Sequence, residues 1–295
     1  MVDVAEVKIW NELAGAIRWD ESQQLGYFQY DPSFIERGWD LSPIKMPIAQ
    51  GSRIYSFPEN RKGRNETEDT FKGLPGLLSD ALPDKYGNKL ISTWLSQQGR
   101  SENSMNPVEK LCFIGTRGVG AMEFEPAQIK TGIKTFSLEL NNLIELAKNI
   151  LNEREDFLTN LNEDEEKAMM EILKIGTSAG GARPKAVIGY NPKTKEIRSG
   201  QGNVPKGFEH WLLKLDGVSG EQFGESFGWG RVEYAYYLMA IDSGIEISEC
   251  QLLEENGRAH FMTKRFDRQD NTKHHVQSLC GLQHYDFNDM YGYSY

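Results

Sequence analysis

This chain of 295 residues has only three cysteines, Cys112, Cys250 and Cys280, and none of them forms a CxxC pair. That scarcity argues against a disulfide framework and against a cysteine zinc site, and for a reducing compartment. No run of about 18 apolar residues occurs, so no membrane-spanning helix is expected. The opening, MVDVAEVKIW, has neither the basic nor the apolar region of a secretory signal, and the expected location is the cytoplasm. Positive charge is also in short supply: Lys and Arg number 33 against 43 Asp and Glu, a net charge of −10. Such a chain has no bulk attraction to DNA or to anionic lipid, so neither direct nucleic-acid binding nor membrane binding is expected. The one short basic cluster, NRKGR at 60–64, reads as a solvated loop. A Walker A loop, GxxxxGK[ST], is missing, and no internal repeat stands out.

What is present is ordinary for a globular protein, 39% hydrophobic and 26% charged, in a length that allows two domains. The first 130 residues read as short aromatic strands with turns. EVKIWNELAGAIRWD alternates across a hairpin with its turn at Asn11 to Gly15, and GYFQYD closes at Asp31-Pro32. LSPIKMPI holds two prolines and reads as an extended loop or edge. A helix is expected from Pro83-Asp84, with Leu90, Ile91 and Trp94 at helical spacing. FIGTRGVGAMEFEP reads as a glycine-laced turn entering a strand. From about 137, Leu140, Leu143, Ile144, Ala147 and Leu151 share one face of an amphipathic helix, and LNEDEEKAMMEILKI gives a second. Beyond 175 come strands PKAVIGY and EHWLLKLDG, a helix over GWGRVEYAYYLMAIDSG closed by Gly244, and the strand RAHFMTKRFDR. The division is therefore a β-rich domain over 1–130, a helical connector over 131–174 and a third segment over 175–295, an α+β chain.

The stretch IGTSAGGARPKAVIGY, 175–190, carries the most chemistry. Gly176 to Gly180 formally matches GxSxG, but a nucleophile elbow needs a strand before it and a helix after it. Here a Glu-rich helical segment precedes, and Pro184 with β-branched residues follows. A phosphate cradle fits better, because glycines let backbone N–H groups approach an anion closely. Such a cradle needs a lysine on a following strand. Lys214 stands in the apolar strand HWLLKLDG, with a solvent-facing lysine as the alternative. Glu233, on the next helix, is the carboxylate to pair with it.

TSAGGARPKAVI, HWLLKLDG, VEYAYYLMAIDSGIEI and MTKRFDR occur in the order seen in HipA-family serine/threonine kinases. GYFQYD, LSPIKMPI, GLLSDALPD and GVGAMEFEP resemble that family's N-terminal domain, so the similarity spans essentially the whole chain. The resemblance implies a toxin component that transfers the γ-phosphate of ATP, with Mg²⁺, to a protein Ser/Thr. A HipB-like DNA-binding antitoxin is its implied partner. Segment 175–295 becomes a kinase-like nucleotide lobe on this reading. Ser178 is the implied autophosphorylation site, a switch placed near Arg183 and Lys185, or else a small residue easing a tight turn. Ser178, Gly180, Gly181, Lys185, Lys214, Glu233, Lys264 and Phe266 are the implied ATP-binding residues, with Lys264 standing where the family pattern has Glu.

The same resemblance leads one to expect a helical lobe with a D-x-x-x-x-N loop for the catalytic base and a metal ligand. The 295 residues end at NDMYGYSY without one, so no catalytic or metal-binding residue is assigned and the chain alone is expected to be inactive. It reads either as a piece of a longer kinase or as a non-catalytic module, a pseudokinase or the regulatory half of a split toxin–antitoxin system.

Overall fold

A computed structural model of the protein describes residues 2–60, 69–101, 104–127, 139–151, 163–177, 183–218 and 228–289. The chain divides into two compact units: Met1–Leu82 with Met105–Lys130 and Lys273–Tyr295, and Pro83–Ser104 with Thr131–Thr272. Antiparallel sheets and helices are mixed throughout, an α+β fold. Among the described residues no helix is long and apolar enough to cross a membrane.

In the first unit, strands β1 (Val4–Ile9), β2 (Glu12–Asp20), β3 (Leu25–Tyr30), β4 (Ile54–Tyr55) and β5 (Met122–Glu125) form one antiparallel sheet in the order β4-β3-β2-β1-β5. Period-two alternation buries Ala5, Val7 and Ile9 on β1 and Ile17 and Trp19 on β2, which meet Phe28, Phe34, Leu77 and Phe124 in the core. The first hairpin turns at Trp10-Asn11, not over Asn11 to Gly15. Both turn residues have positive φ, 50° and 66°, the geometry that matches strand twist and that Asn tolerates. Pairing then resumes at once, Ile9 with Glu12 and Val7 with Gly15. A second difference lies at Phe113 and Ile114. They are not the start of a turn but the last residues of a helix, Pro107–Ile114, started by the Asn106 side chain accepting from Glu109 N at 2.8 Å. The basic 61–64 part of NRKGR lies outside the described residues.

The segment from Lys273 onward belongs to this first unit. His275 Nε2 meets Leu41 O at 2.9 Å, and Asp80 accepts from the backbone N and Oγ of Ser278 at 2.6 and 2.8 Å. A short helix, Leu279–Gln283, follows, and then His284. Its Nε2 accepts from Gly76 N at 3.1 Å, its Nδ1 lies 2.9 Å from the Asn60 amide, and its ring packs on Phe57 and Phe71. The Gly76 bond requires an unprotonated Nε2. Burial, with Lys45 nearby, pushes the imidazole down to about 4. A histidine depressed in the folded state stabilises the fold above its unfolded value near 6.5, and that contribution is lost as pH falls toward 4. We expect up to about 3 kcal/mol to be lost across that window at 1.36 kcal/mol per unit. The protection factor of the Gly76 amide, relative to its intrinsic exchange rate at each pH, should fall over the same range, and His284→Gln should abolish that fall. An amide equally protected at pH 4 and pH 7 refutes this account.

The second unit carries β6 (Lys185–Tyr190), β7 (Ile197–Ser199), β8 (Glu209–Lys214), β9 (Cys250–Glu255) and β10 (Arg258–Lys264), in the antiparallel order β7-β6-β8-β10-β9. A two-stranded ribbon, β11 (Arg268–Gln269) with β12 (Thr272–Lys273), follows β10. Ala186, Leu213 and Met262, consecutive partners across the ladder, are buried together. Helices Lys85–Gln97, Leu140–Leu151 and Glu163–Gly176 pack on one another, the last also on β6. Leu140, Leu143, Ile144 and Ala147 are buried as their spacing predicts, while the side chain of Leu151 lies outside the described residues. Helix Trp229–Asp242 packs on β9 and β10 and ends at Ser243 and Gly244, whose φ is +75°.

Candidate functional site

The glycine-rich stretch is entered from a helix ending at Gly176 and left into a strand starting at Lys185, the reverse of a nucleophile elbow. Thr177 is buried, its Oγ1 donating to Leu173 O at 2.7 Å. Ser178, Gly180 and Gly181 lie outside the described residues.

Lys214 ends β8, the central strand, and faces Lys185 of β6 and Phe261 of β10 across the ladder. Its ammonium is ion-paired with Glu233 and sits 5.6 Å from the Phe261 ring centroid. Neither partner is a free surface group: the side chains are 34% and 29% exposed. What lets Glu233 reach across is a residue one turn earlier. Gly230 is buried, and a Cβ there would stand 2.1 Å from the Ala259 carbonyl oxygen on β10. Only a residue without a side chain lets the helix seat this closely on the sheet.

Lys185 is used differently. It is 1% exposed and ion-paired with Asp84, which also caps helix Lys85–Gln97 by accepting from Gly87 N at 2.7 Å. Burial pushes the Lys185 ammonium down despite the carboxylate beside it, with Lys214 adding to that push. Burial likewise raises the Asp84 carboxyl against the pull of Lys185. Desolvation wins at both ends of this pair. The Tyr86 ring lies 5.7 Å from the ammonium and is itself buried. Lys264 pairs with Glu209 at 2.6 Å and Glu249 at 3.8 Å, three residues along β10 from Phe261. Phe266 is 70% exposed. The structure thus pairs Lys214 with Glu233, sets Lys185 beside Lys214 but paired with Asp84, and gives Lys264 and Phe266 other surroundings.

Lys214 and Glu233 open onto a cleft also lined by Arg183, Pro184, Asp216 and Trp229. Asp216 is buried beside His260, whose Nδ1 accepts from Asp216 N at 2.8 Å. Burial lowers the imidazole, which the bond fixes as neutral with its proton on Nε2. Among the described residues Asp216 Oδ1 has no hydrogen-bond partner. The sequence offered two faint signals for this lining: Asp216 two residues after Lys214 in KLDG, and Trp229 between two glycines. Among the described residues no three potential metal ligands gather.

These features define a class first: an α+β protein whose second unit sets a lysine on the central strand against a glutamate on a helix. The chain belongs to the HipA family. Residues 5–125 match the HipA N-terminal domain and residues 177–295 the HipA-like C-terminal domain. No curated protein sequence matches it. Among solved structures it is similar to a chain of the Shewanella oneidensis MR-1 toxin–antitoxin complex of HipA, HipB and operator DNA. The TM-score is 0.53 at 17% identity, covering 92% of this chain and 53% of that one. That likeness shows a HipA-like fold, and the chain spans about half the length of the protein it matches.

Proposed function

We infer that the second unit is the nucleotide-binding lobe of a HipA-type serine/threonine kinase, the toxin of a toxin–antitoxin pair. The observation that carries this reading is the Lys214–Glu233 ion pair between the central strand and the adjacent helix. Protein kinases use such a strand lysine, braced by a helical glutamate, to hold ATP phosphates. Lys214 would bind phosphate here and Glu233 would hold its ammonium in place. Ser178, in the glycine-rich stretch, is the proposed autophosphorylation site. Mg²⁺ is the proposed cofactor, and no residue of this chain is assigned to hold it. The substrate is a protein Ser/Thr, and a HipB-like antitoxin is the proposed partner, supported by the company its structural relative keeps.

The 295 residues contain no D-x-x-x-x-N motif, so this chain alone should transfer no phosphate and should bind ATP weakly, near millimolar. NMR titration of the 295-residue chain with MgATP tests the reading. Lys214→Met should weaken binding at least about ten-fold, the scale of a hydrogen bond to a charged group, while Lys264→Met should change it little. Equal affinity in wild type and Lys214→Met rejects the assignment.

A further inference from the structure

Arg183 is the cation of this cleft that the pairing just described leaves over. Lys214 has Glu233 and Lys185 has Asp84, but among the described residues no carboxylate or carbonyl takes the N–H groups of Arg183. Its contact is instead with an aromatic ring: the guanidinium carbon lies 4.2 Å from the Trp229 ring centroid. That is close for a cation–π contact, which operates out to about 6 Å and is strongest over Trp. A guanidinium held by an aromatic ring keeps its donors, five N–H groups in a planar fork matched to phosphate and carboxylate. The backbone of Trp229 is held by its neighbour, because Gly230 seats the first turn of the helix on β10, while its ring is 43% exposed.

The cleft therefore gathers a lysine neutralised by Glu233, the buried Asp216 carboxylate, and an arginine that among the described residues is held by a ring and by no carboxylate. We propose that Arg183 is an anion-binding residue and Trp229 its positioning residue, a preorganised receptor for a phosphate-bearing ligand. The proposal rests on the nucleotide reading of the cleft and deepens it, assigning a ligand-phosphate contact to Arg183, which the sequence places only near Ser178. Preorganisation is the point of the ring. A long arginine immobilised before the ligand arrives loses less rotamer freedom on binding.

The test uses two probes on the 295-residue chain, inorganic tripolyphosphate and MgATP, followed by NMR with the Trp229 indole N–H as a local reporter. Arg183→Gln should weaken tripolyphosphate at least about ten-fold, as expected for loss of charge-assisted bonds, and should flatten the dependence of affinity on salt. Trp229→Leu, with Arg183 intact, should weaken it about three-fold, and Trp229→Phe should restore part of the loss. Unchanged tripolyphosphate affinity in Arg183→Gln overturns the proposal, and so does a Trp229→Leu protein that binds as wild type. Lys214-dependent ATP binding that Arg183→Gln leaves intact sinks this inference while sparing the nucleotide reading. Failure of both probes to bind sinks the two together.

Discussion

Replacing Asp84 by alanine should lower the unfolding free energy of the second unit by about 3–5 kcal/mol at pH 7, the range for removing one partner of a buried ion pair. The Lys185 ammonium is 1% exposed, and burial already holds it below the ordinary lysine value with Asp84 in place. Without the carboxylate the charged form faces a larger desolvation penalty, and the side chain escapes it by losing its proton. That escape fixes the pH dependence. In the variant the folded-state value of Lys185 falls further below the unfolded value near 10.5, so the folded state favours the neutral form. The variant's deficit should therefore shrink as pH rises from 7 toward 10. Loss of the helix cap at Gly87 adds about 1 kcal/mol that does not vary with pH in this way. A paired replacement, Asp84→Leu with Lys185→Met, should recover most of the loss. Urea unfolding of the three proteins at pH 7 and 10 decides the matter. A deficit below about 1 kcal/mol at pH 7 means the pair is not a strut.

Gly230→Ala should have the second large effect. The added Cβ would meet the Ala259 carbonyl oxygen at 2.1 Å and Phe261 N at 3.1 Å, both backbone atoms that cannot swing aside. The first turn of helix Trp229–Asp242 must lift from β10, at a cost of about 3 kcal/mol for overpacking against a rigid wall. Glu233 rides on that turn, so the Lys214 pair loosens and ATP affinity should fall about ten-fold along with stability. Gly228 supplies the control. Its φ is +90° but nothing lies within 4 Å of a Cβ there, so its glycine answers a backbone conformation and not a close approach. Gly228→Asn, a residue that tolerates left-handed backbone, should cost about 1 kcal/mol or less and leave ATP affinity unchanged. If both substitutions prove equally mild, the seat of the helix is not what positions Glu233.

The site was legible in the sequence wherever its logic is local. An out-of-place lysine in HWLLKLDG and a glutamate on the next helix, 19 residues on, were enough to anticipate their pairing. The strands around them and the helix closed by Gly244 announce themselves by period and by a terminal glycine. Lys185 shows where that legibility stops. It looks like a second phosphate lysine because it follows the glycine-rich stretch, yet its partner Asp84 lies 101 residues away, and nothing in spacing reports such a contact. Trp229 escaped for the same reason, and Arg183 was placed only near Ser178, since a cation–π contact across 46 residues leaves no periodic trace. The Pro107–Ile114 helix escaped differently. Its signals, Asn106 as cap and Pro107 in the first turn, were present but short, and the glycines after Ile114 dominate the local reading.

The recruitment of residues 273–289 into the first unit bears on how the protein is made. Gly76 donates to His284 across 208 residues, and Asp80 holds Ser278 across 198. A ribosome adding about 5–20 residues per second delivers His284 roughly 10–40 s after Gly76. During that interval the sheet of the first unit exists without its last segment, and Asp80 and the Gly76 amide face water or a chaperone. An N-terminal domain ordinarily gains its final stability early in vectorial synthesis. This one gains part of it only after the second unit has emerged, and such long-range closure is slow to search and leaves nascent surface open to misassembly.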